Sequence, residues 1–293
     1  MLRPLWRVGW FLLCSIGRTF GDVRPRRILD LVGRRAWPDP IHTWRKNRWG
    51  DELHLSPSFH IDRNIIALGT YDRDLHLAFE HCVEPGMTCL DVGANLGEMT
   101  LHLARLVGAG GRVHAFEPAP RIRDRLTAHV ARNHYEDRVT VHPLALADHE
   151  GSLPLTCPSP TEDNQGTASL VDLVSSTPTA ETTRVPIMTL DELAERHPIP
   201  RIDLVKVDIQ GAEPLFLRGA DTVLRRDHPI LFIEVSKTDL AHGKATPRAL
   251  IRQLTEIGYT VRTLRRGGTA GVRIDPVTVD ESFDVPNVVC RAE

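Results

Sequence analysis

Residues 89–105, CLDVGANLGEMTLHLAR, change character twice within seventeen positions. Cys89 to Val92 are apolar but for Asp91, Gly93 to Gly97 are mostly small, and from Leu96 apolar residues recur at helical spacing. A buried strand, a tight turn and a helix are predicted in that order. Such a turn suits a nucleotide-like guest, because small residues clear the approach and a helix N-terminus points at whatever sits above it. The spacing is G-x-x-x-G rather than the G-x-G-x-x-G of dinucleotide folds, so phosphate is not the necessary guest.

Outward from this stretch, strand-like runs alternate with helical ones, which is the order of a parallel sheet wrapped by helices. TCLDVG, RVHAFEP, VTVHPLA, LVKVDIQ and PILFIEV read as strands buried on both faces. Leu96, Met99, Leu103 and Leu106 share one helix face, as do Ile122, Leu126 and Val130; Phe216, Ala220, Val223 and Leu224 form a third stripe behind Pro214. GYTVRTL and VPNVVCRA add two strands whose close succession predicts an antiparallel edge hairpin. The expected architecture is α/β and doubly wound, a mostly parallel seven-stranded sheet with that hairpin at one edge. Residues 156–184 hold eleven Ser or Thr among twenty-nine, a polar insertion whose flanks SLPLTC and RVPIMT can pair as an extra hairpin.

RVHAFEP ends in Glu117, twenty-four residues beyond Gly93, where a carboxylate at the end of the second strand can accept hydrogen bonds from both hydroxyls of a ribose. An acid inside the first turn, Asp91, would repel a pyrophosphate but suits the ammonium of S-adenosylmethionine, with backbone N–H groups for its carboxylate.

DVGANLG, AFEP, ALAD (145–148), NQGTASL (164–170), TLDEL (189–193), DLVKVDIQGAE (203–213) and FIE (232–234) follow one another in the order and spacing of FkbM-type methyltransferases, which the chain resembles over about residues 70–265. The resemblance implies a class I (Rossmann-like) methyltransferase fold, S-adenosylmethionine as cofactor, and methyl transfer to a hydroxyl of a sugar, glycolipid or polyketide-type small molecule. It makes Asp91, Gly93, Asn95, Gly97, Glu117 and Pro118 cofactor contacts and sets Ala145 to Asp148 beside the adenine. Gly166 and Ser169 fall in a polar loop that would act as a lid. One position departs from the family pattern: the chain reads D-I-Q-G-A-E, with Gln210 where an acid is usual.

The ends of the fourth and fifth strands should face the cofactor, which nominates Asp208, Glu213 and Glu234, with Lys206 behind them, as the catalytic set. Asp208 is the preferred base. A carboxylate removes an alcohol proton better if burial raises its pKa or a metal activates the hydroxyl, so a magnesium ion shared by Asp208 and Glu234 is the alternative. No dedicated metal motif is present: there is no H-E-x-x-H and no Cys/His cluster. Two competing classes are a nicotinamide-dependent oxidoreductase, which the missing G-x-G opposes, and a non-catalytic cofactor-binding partner domain. Glu213 could equally serve only the dipole of the following helix.

A net charge of −2 over 293 residues argues against nucleic acid as a partner, since that affinity needs uncompensated cations. Five scattered cysteines without a C-x-x-C pair predict reduced thiols and a cytoplasmic setting. Residues 1–49 differ from the rest: eleven Arg or Lys against three Asp give a local charge of +8, and all five tryptophans lie there. Indoles beside arginines suit a headgroup layer. A basic, Trp-rich segment of residues 1–70 is therefore expected ahead of a methyltransferase domain of residues 71–293, with peripheral contact at the inner membrane face through residues 1–49. The alternative is that these aromatics simply pack. PLWRVGWFLLCSIG is too short, and too interrupted by Arg7, to span a bilayer.

Overall fold

The computed structural model describes residues 9–10, 12, 14, 31–33, 35–37, 41–159, 168–170, 181–197, 199–267, 271–276 and 285–292. By internal contacts they form two compact units: those of Met1–Arg73 with Pro158 and Ser159, and those of Asp74–Cys157 with Ala168 onward.

In the first unit an antiparallel ribbon, β1 (Thr43–Lys46) and β2 (Glu52–Leu55), precedes α1 (His60–Leu68), which ends at Gly69 with φ +84°. Arg63 is fully buried and donates to the carbonyls of Pro57 and Ser58. Trp10, Val32, Ala36 and Ala67 make a small core, with Trp37 half-buried against it. Trp10 thus has the packing role weighed above, whereas Trp44 is 39% exposed; Trp6 lies outside the described residues.

The second unit follows α2 (Arg73–Cys82) with β3 (Thr88–Val92), α3 (Glu98–Val107), β4 (Arg112–Phe116), α4 (Pro120–Arg132), β5 (Val139–His142), β6 (Ala145–Leu146), β7 (Gly151–Cys157), β8 (Glu181–Met188) and α5 (Leu190–Arg196). It continues with β9 (Leu204–Val207), α6 (Glu213–Gly219), α7 (Asp221–Asp227), β10 (Ile230–Val235), α8 (Lys237–His242), α9 (Pro247–Ile257), β11 (Tyr259–Gly267), β12 (Gly271–Pro276) and β13 (Val285–Ala292).

The main sheet has the order β12-β11-β13-β10-β9-β3-β4-β5. From β10 to β5 neighbours run parallel, and β13, β11 and β12 are antiparallel to theirs. Seven of these strands are those expected, and β11 pairs with β13 as predicted. The chain between them adds β12 outside β11, an eighth strand whose GVRIDP sequence ends in proline and is tolerated only at an edge. Every residue of β3 and β9 is buried, as strands covered on both faces must be.

Two expected helices differ in detail. α3 is buried on more than one face, through Thr100, Leu101, His102, Leu103, Ala104 and Val107, while Met99 and Leu106 are only half-buried. α2 lies against it, with the His76 and His102 rings 4.6 Å apart, so the single-stripe expectation missed a second covering layer. The third stripe is split at Ala220 into α6 and α7, with Pro214 in the first turn of α6 as expected.

The insertion flanks do pair: β7 and β8 run antiparallel from Gly151↔Ile187 to Cys157↔Glu181, and β6 joins β8. Leu155 and Val185 of this hairpin pack on Ala119 and Ile122, which sets it beside the end of β4. The order in which strands are added reverses between the parallel strands β3 and β9: β4 and β5 extend the sheet one way, β10 the other. In an open parallel sheet that reversal opens a crevice at the carboxyl ends of the strands.

Candidate active site

The residues nominated as cofactor contacts or catalytic groups belong to the second unit, and most stand at the ends of β3, β4, β9 and β10. The turn after β3 is internally complete. Gly93 and Ala94 donate their N–H groups to Phe116 O, Asn95 donates to Glu117 Oε2 at 2.9 Å, Leu96 to Asn95 Oδ1 and Gly97 to Ala94 O. These donors are already engaged, contrary to the expectation that they lie open to a ligand carboxylate. Gly93 has φ +77°, and a Cβ there would fall 1.9 Å from Asp208 O, so only glycine lets the two strand-end turns touch through backbone. Gly97, at φ +93°, is likewise packed on Leu126.

Glu117 is 5% exposed and is held from both sides, by Asn95 N at Oε2 and by Ala119 N at Oε1. Burial raises its pKa to about 7, although both N–H groups and the Lys206 charge pull it down. Each carboxylate oxygen has spent one lone pair and keeps another, so the pair still fits a ribose diol. Pro118 lies beside it, its carbonyl accepting from Arg123 Nη1 at 3.0 Å.

Asp91 does not stand where a cofactor ammonium could reach it. Its carboxylate is fully buried, accepts from Thr100 Oγ1 at 2.6 Å, and pairs with Lys206 Nζ at 3.1 Å. The cation that it meets is the chain's own. Lys206 also donates to Gly93 O at 2.8 Å and lies 4.0 Å from Asp208 Oδ2. Burial alone would lower its pKa, but the charges of Asp91 and Asp208 outweigh that and hold it above the ordinary lysine value. Lys206 is thus a positioning residue that ties the β3 turn to the end of β9.

Glu213 is corrected too. It is 1% exposed, and Oε1 accepts from the N–H groups of Ile209 and Gly211, closing the turn between β9 and α6 rather than facing a substrate. Burial raises its pKa to about 7. Ala145 is buried in β6, and Asp148 is ion-paired with Arg218 at 2.8 Å while accepting from His149. Both oxygens of Asp148 are therefore engaged beside, not across, the strand ends.

Asp208 and Glu234 remain, and the structure brings them together. The Asp208 side chain is 41% exposed, whereas Glu234 is largely buried and hydrogen-bonded to it. Burial first, then the Asp208 charge, pushes the Glu234 pKa far up, so the pair, rather than either acid alone, holds one proton at neutral pH. Gln210 Nε2 donates to Asp208 Oδ1 at 3.0 Å and to Glu234 Oε2 at 3.2 Å. From the insertion, Ser169 is 1% exposed and donates to Gln210 O at 3.0 Å, while Gly166 lies outside the described residues. Among the described residues no group of three or more His, Cys, Asp or Glu is arranged to hold a metal, and the two acids of the shared-magnesium alternative each have an oxygen bound by the Gln210 amide. Sequence reasoning missed Thr100, whose hydroxyl meets Asp91 through the fold and leaves no periodic signal.

The state of Glu117 gives a pH test. A ligand diol donates best to the ionised carboxylate, so affinity for S-adenosylhomocysteine should climb as pH rises through about 7. Below that value it should fall by up to about tenfold per pH unit. Folding has the opposite sign: the folded chain binds this proton more tightly than the unfolded chain, so the group's contribution to stability declines from pH 4.5 to about 7. Titration calorimetry at several pH values should show the affinity trend in the wild type and a flat, weaker response in Glu117→Gln. A flat wild-type profile would place the ribose elsewhere.

Residues 91–261 match the family described as "Methyltransferase FkbM domain". The hexuronic acid methyltransferase AglP of Haloferax volcanii is 30% identical over 57% of this chain and 60% of its own length. The methyltransferase sdnD of Sordaria araneosa is 30% identical over 45% and 60%, and the AMB antimetabolite synthetase AmbE of Pseudomonas aeruginosa 29% over 58% and 9%. The chain therefore spans less than two thirds of the length of each of these relatives.

Proposed function

The chain belongs to the FkbM family of S-adenosylmethionine-dependent methyltransferases, and from that premise we propose that it methylates a hydroxyl of a sugar, glycolipid or polyketide-type small molecule. The observation that carries this reading is the pairing, at the ends of neighbouring strands β9 and β10, of the accessible Asp208 with the largely buried Glu234, both bound by the Gln210 amide. AglP, a hexuronic acid methyltransferase, supports a sugar acceptor.

When bound, the cofactor supplies a methyl group already activated by its sulfonium. Glu117 holds the ribose, and the glycine turn, braced by Lys206 and Asp91, sets the depth of the crevice. Asp208 would take the acceptor's hydroxyl proton as that oxygen bonds the methyl carbon and the carbon–sulfur bond breaks, the sulfur leaving as a neutral thioether, while Glu234 and Lys206 keep Asp208 aimed. Residues 168–170 are tied to the β9 turn through Ser169, which supports a role for this loop beside the acceptor.

The amino-terminal segment bears on the acceptor. The exposed large apolar side chains Leu12, Leu31, Ile41 and Trp44 lie within the stretch that carries the charge of +8. Among the described residues no helix is long and apolar enough to cross a membrane. We assign this segment to the anionic inner face of a membrane, with the enzyme otherwise cytoplasmic and a lipid-borne glycan as acceptor.

Incubating the protein with methyl-labelled cofactor and separated lipid and aqueous cell extracts should place the label on a hydroxyl oxygen in the lipid fraction. Label on nitrogen or carbon, or none in any fraction, would end the O-methyltransferase reading. The protein should float with anionic vesicles and not with zwitterionic ones. Loss of flotation on anionic vesicles would remove only the membrane part.

A further inference from the structure

Gln210 occupies a strained place. Its φ is +54°, in the left-handed region that costs a side-chain-bearing residue about 1 kcal/mol or more and which Gly211 next to it also adopts. The side chain shows why glutamine stands there. Its amide lies between the Asp208 and Glu234 carboxyl groups, with Nε2 in hydrogen-bonding distance of one oxygen of each.

We propose that Gln210 is a positioning residue whose side-chain amide takes the place of a bridging cation between Asp208 and Glu234, so that the carboxylate pair is held without a metal. Three observations converge. The amide engages one oxygen of each acid, Asp208 Oδ1 and Glu234 Oε2, which a cation bridging the pair would have to take from it. The other oxygen of Asp208 looks toward the Lys206 ammonium at 4.0 Å, which is itself anchored on Asp91 and would repel a dication. The main-chain carbonyl of Gln210 accepts from the buried Ser169 hydroxyl, so the residue carrying the amide is fixed from the insertion side as well. A neutral donor suits a pair that already holds one proton, whereas an acid at position 210 would bring a third carboxylate into the same space and need a cation to offset it.

This inference rests on the assignment of Asp208 as base, yet its test needs no acceptor. Manganese titrations of the full chain, followed by electron paramagnetic resonance, would compare the wild type, Gln210→Glu and Gln210→Glu with Asp208→Asn, with S-adenosylhomocysteine affinity as the control for folding. The wild type should show no manganese site that depends on Asp208. Gln210→Glu should gain one at least about tenfold tighter than any wild-type binding, and Asp208→Asn should abolish it. Methyl transfer by Gln210→Glu should then be lost in chelator and restored by magnesium, while the wild type is indifferent to both. A wild-type manganese site that Asp208→Asn removes would overturn the proposal, and that measurement decides even if Gln210→Glu fails to fold. So would a Gln210→Glu protein that binds S-adenosylhomocysteine normally and gains no manganese. If Asp208→Asn leaves methyl transfer intact, the base assignment falls while the metal result still reads the role of the amide.

Discussion

Replacing Asp208 by asparagine should lower methyl transfer by about 10²- to 10⁴-fold, the usual worth of a positioned general base, and leave affinity for S-adenosylhomocysteine nearly unchanged. The separation follows from the geometry. Asp208 is the exposed member of the acid pair, whereas Glu117, the proposed ribose acceptor, sits at the end of a different strand. Asparagine keeps an oxygen for the Gln210 amide, so the loss reports the base and not a collapsed turn. Removing the Asp208 charge also lowers the pKa of Glu234, which that charge helps to raise. Glu234 is too buried to take over, so adding Glu234→Gln to Asp208→Asn should cost little more, although Glu234→Gln alone should slow the enzyme. Single-turnover rates with saturating labelled cofactor would measure this. A rate within about threefold of wild type, well short of any general-base contribution, would remove Asp208 from the chemistry.

Lys206→Met should be the most damaging single change to stability. It deletes the cation that meets the fully buried Asp91 at 3.1 Å and the donor to Gly93 O at 2.8 Å, leaving only the Thr100 hydroxyl on that carboxylate. Breaking a buried ion pair by removing one partner costs about 3–5 kcal/mol, because the remaining charge stays desolvated. Urea denaturation should show that loss, and the double change Asp91→Asn with Lys206→Met should recover part of it by removing the stranded charge. If both proteins were equally unstable, packing and not charge would be the cause. The same pair links stability to function, since Lys206 joins the turn after β3 to the end of β9, where the crevice opens.

The pattern of the fold was legible because it is local. Burial on both faces of β3, β4, β9 and β10 leaves short runs of Val, Ile, Leu and Phe, and glycines mark the turn after β3 where a Cβ would strike Asp208 O. The spacing that puts Glu117 at the end of β4 is set by one helix and one strand, so it too could be read along the chain. The β12 edge strand escaped notice because GVRIDP is short, and its pairing with β11 depends on where β13 lies.

What the sequence determined by itself, then, is the order of strands and helices, the glycine turn and the acids at the strand ends, because periodicity, turn chemistry and chain length act over neighbours. Which acid is free was decided only by the tertiary structure. Asp91, Glu213 and Asp208 are all acids in the sequence, but the first is closed by Lys206 and Thr100, the second by two backbone N–H groups, and the third keeps its side chain 41% exposed beside Gln210. Those partners lie 115 and 9 residues from Asp91 along the chain, and Glu234 lies 26 from Asp208. A carboxylate's role is set by what folding brings against it in a medium that scarcely screens charge.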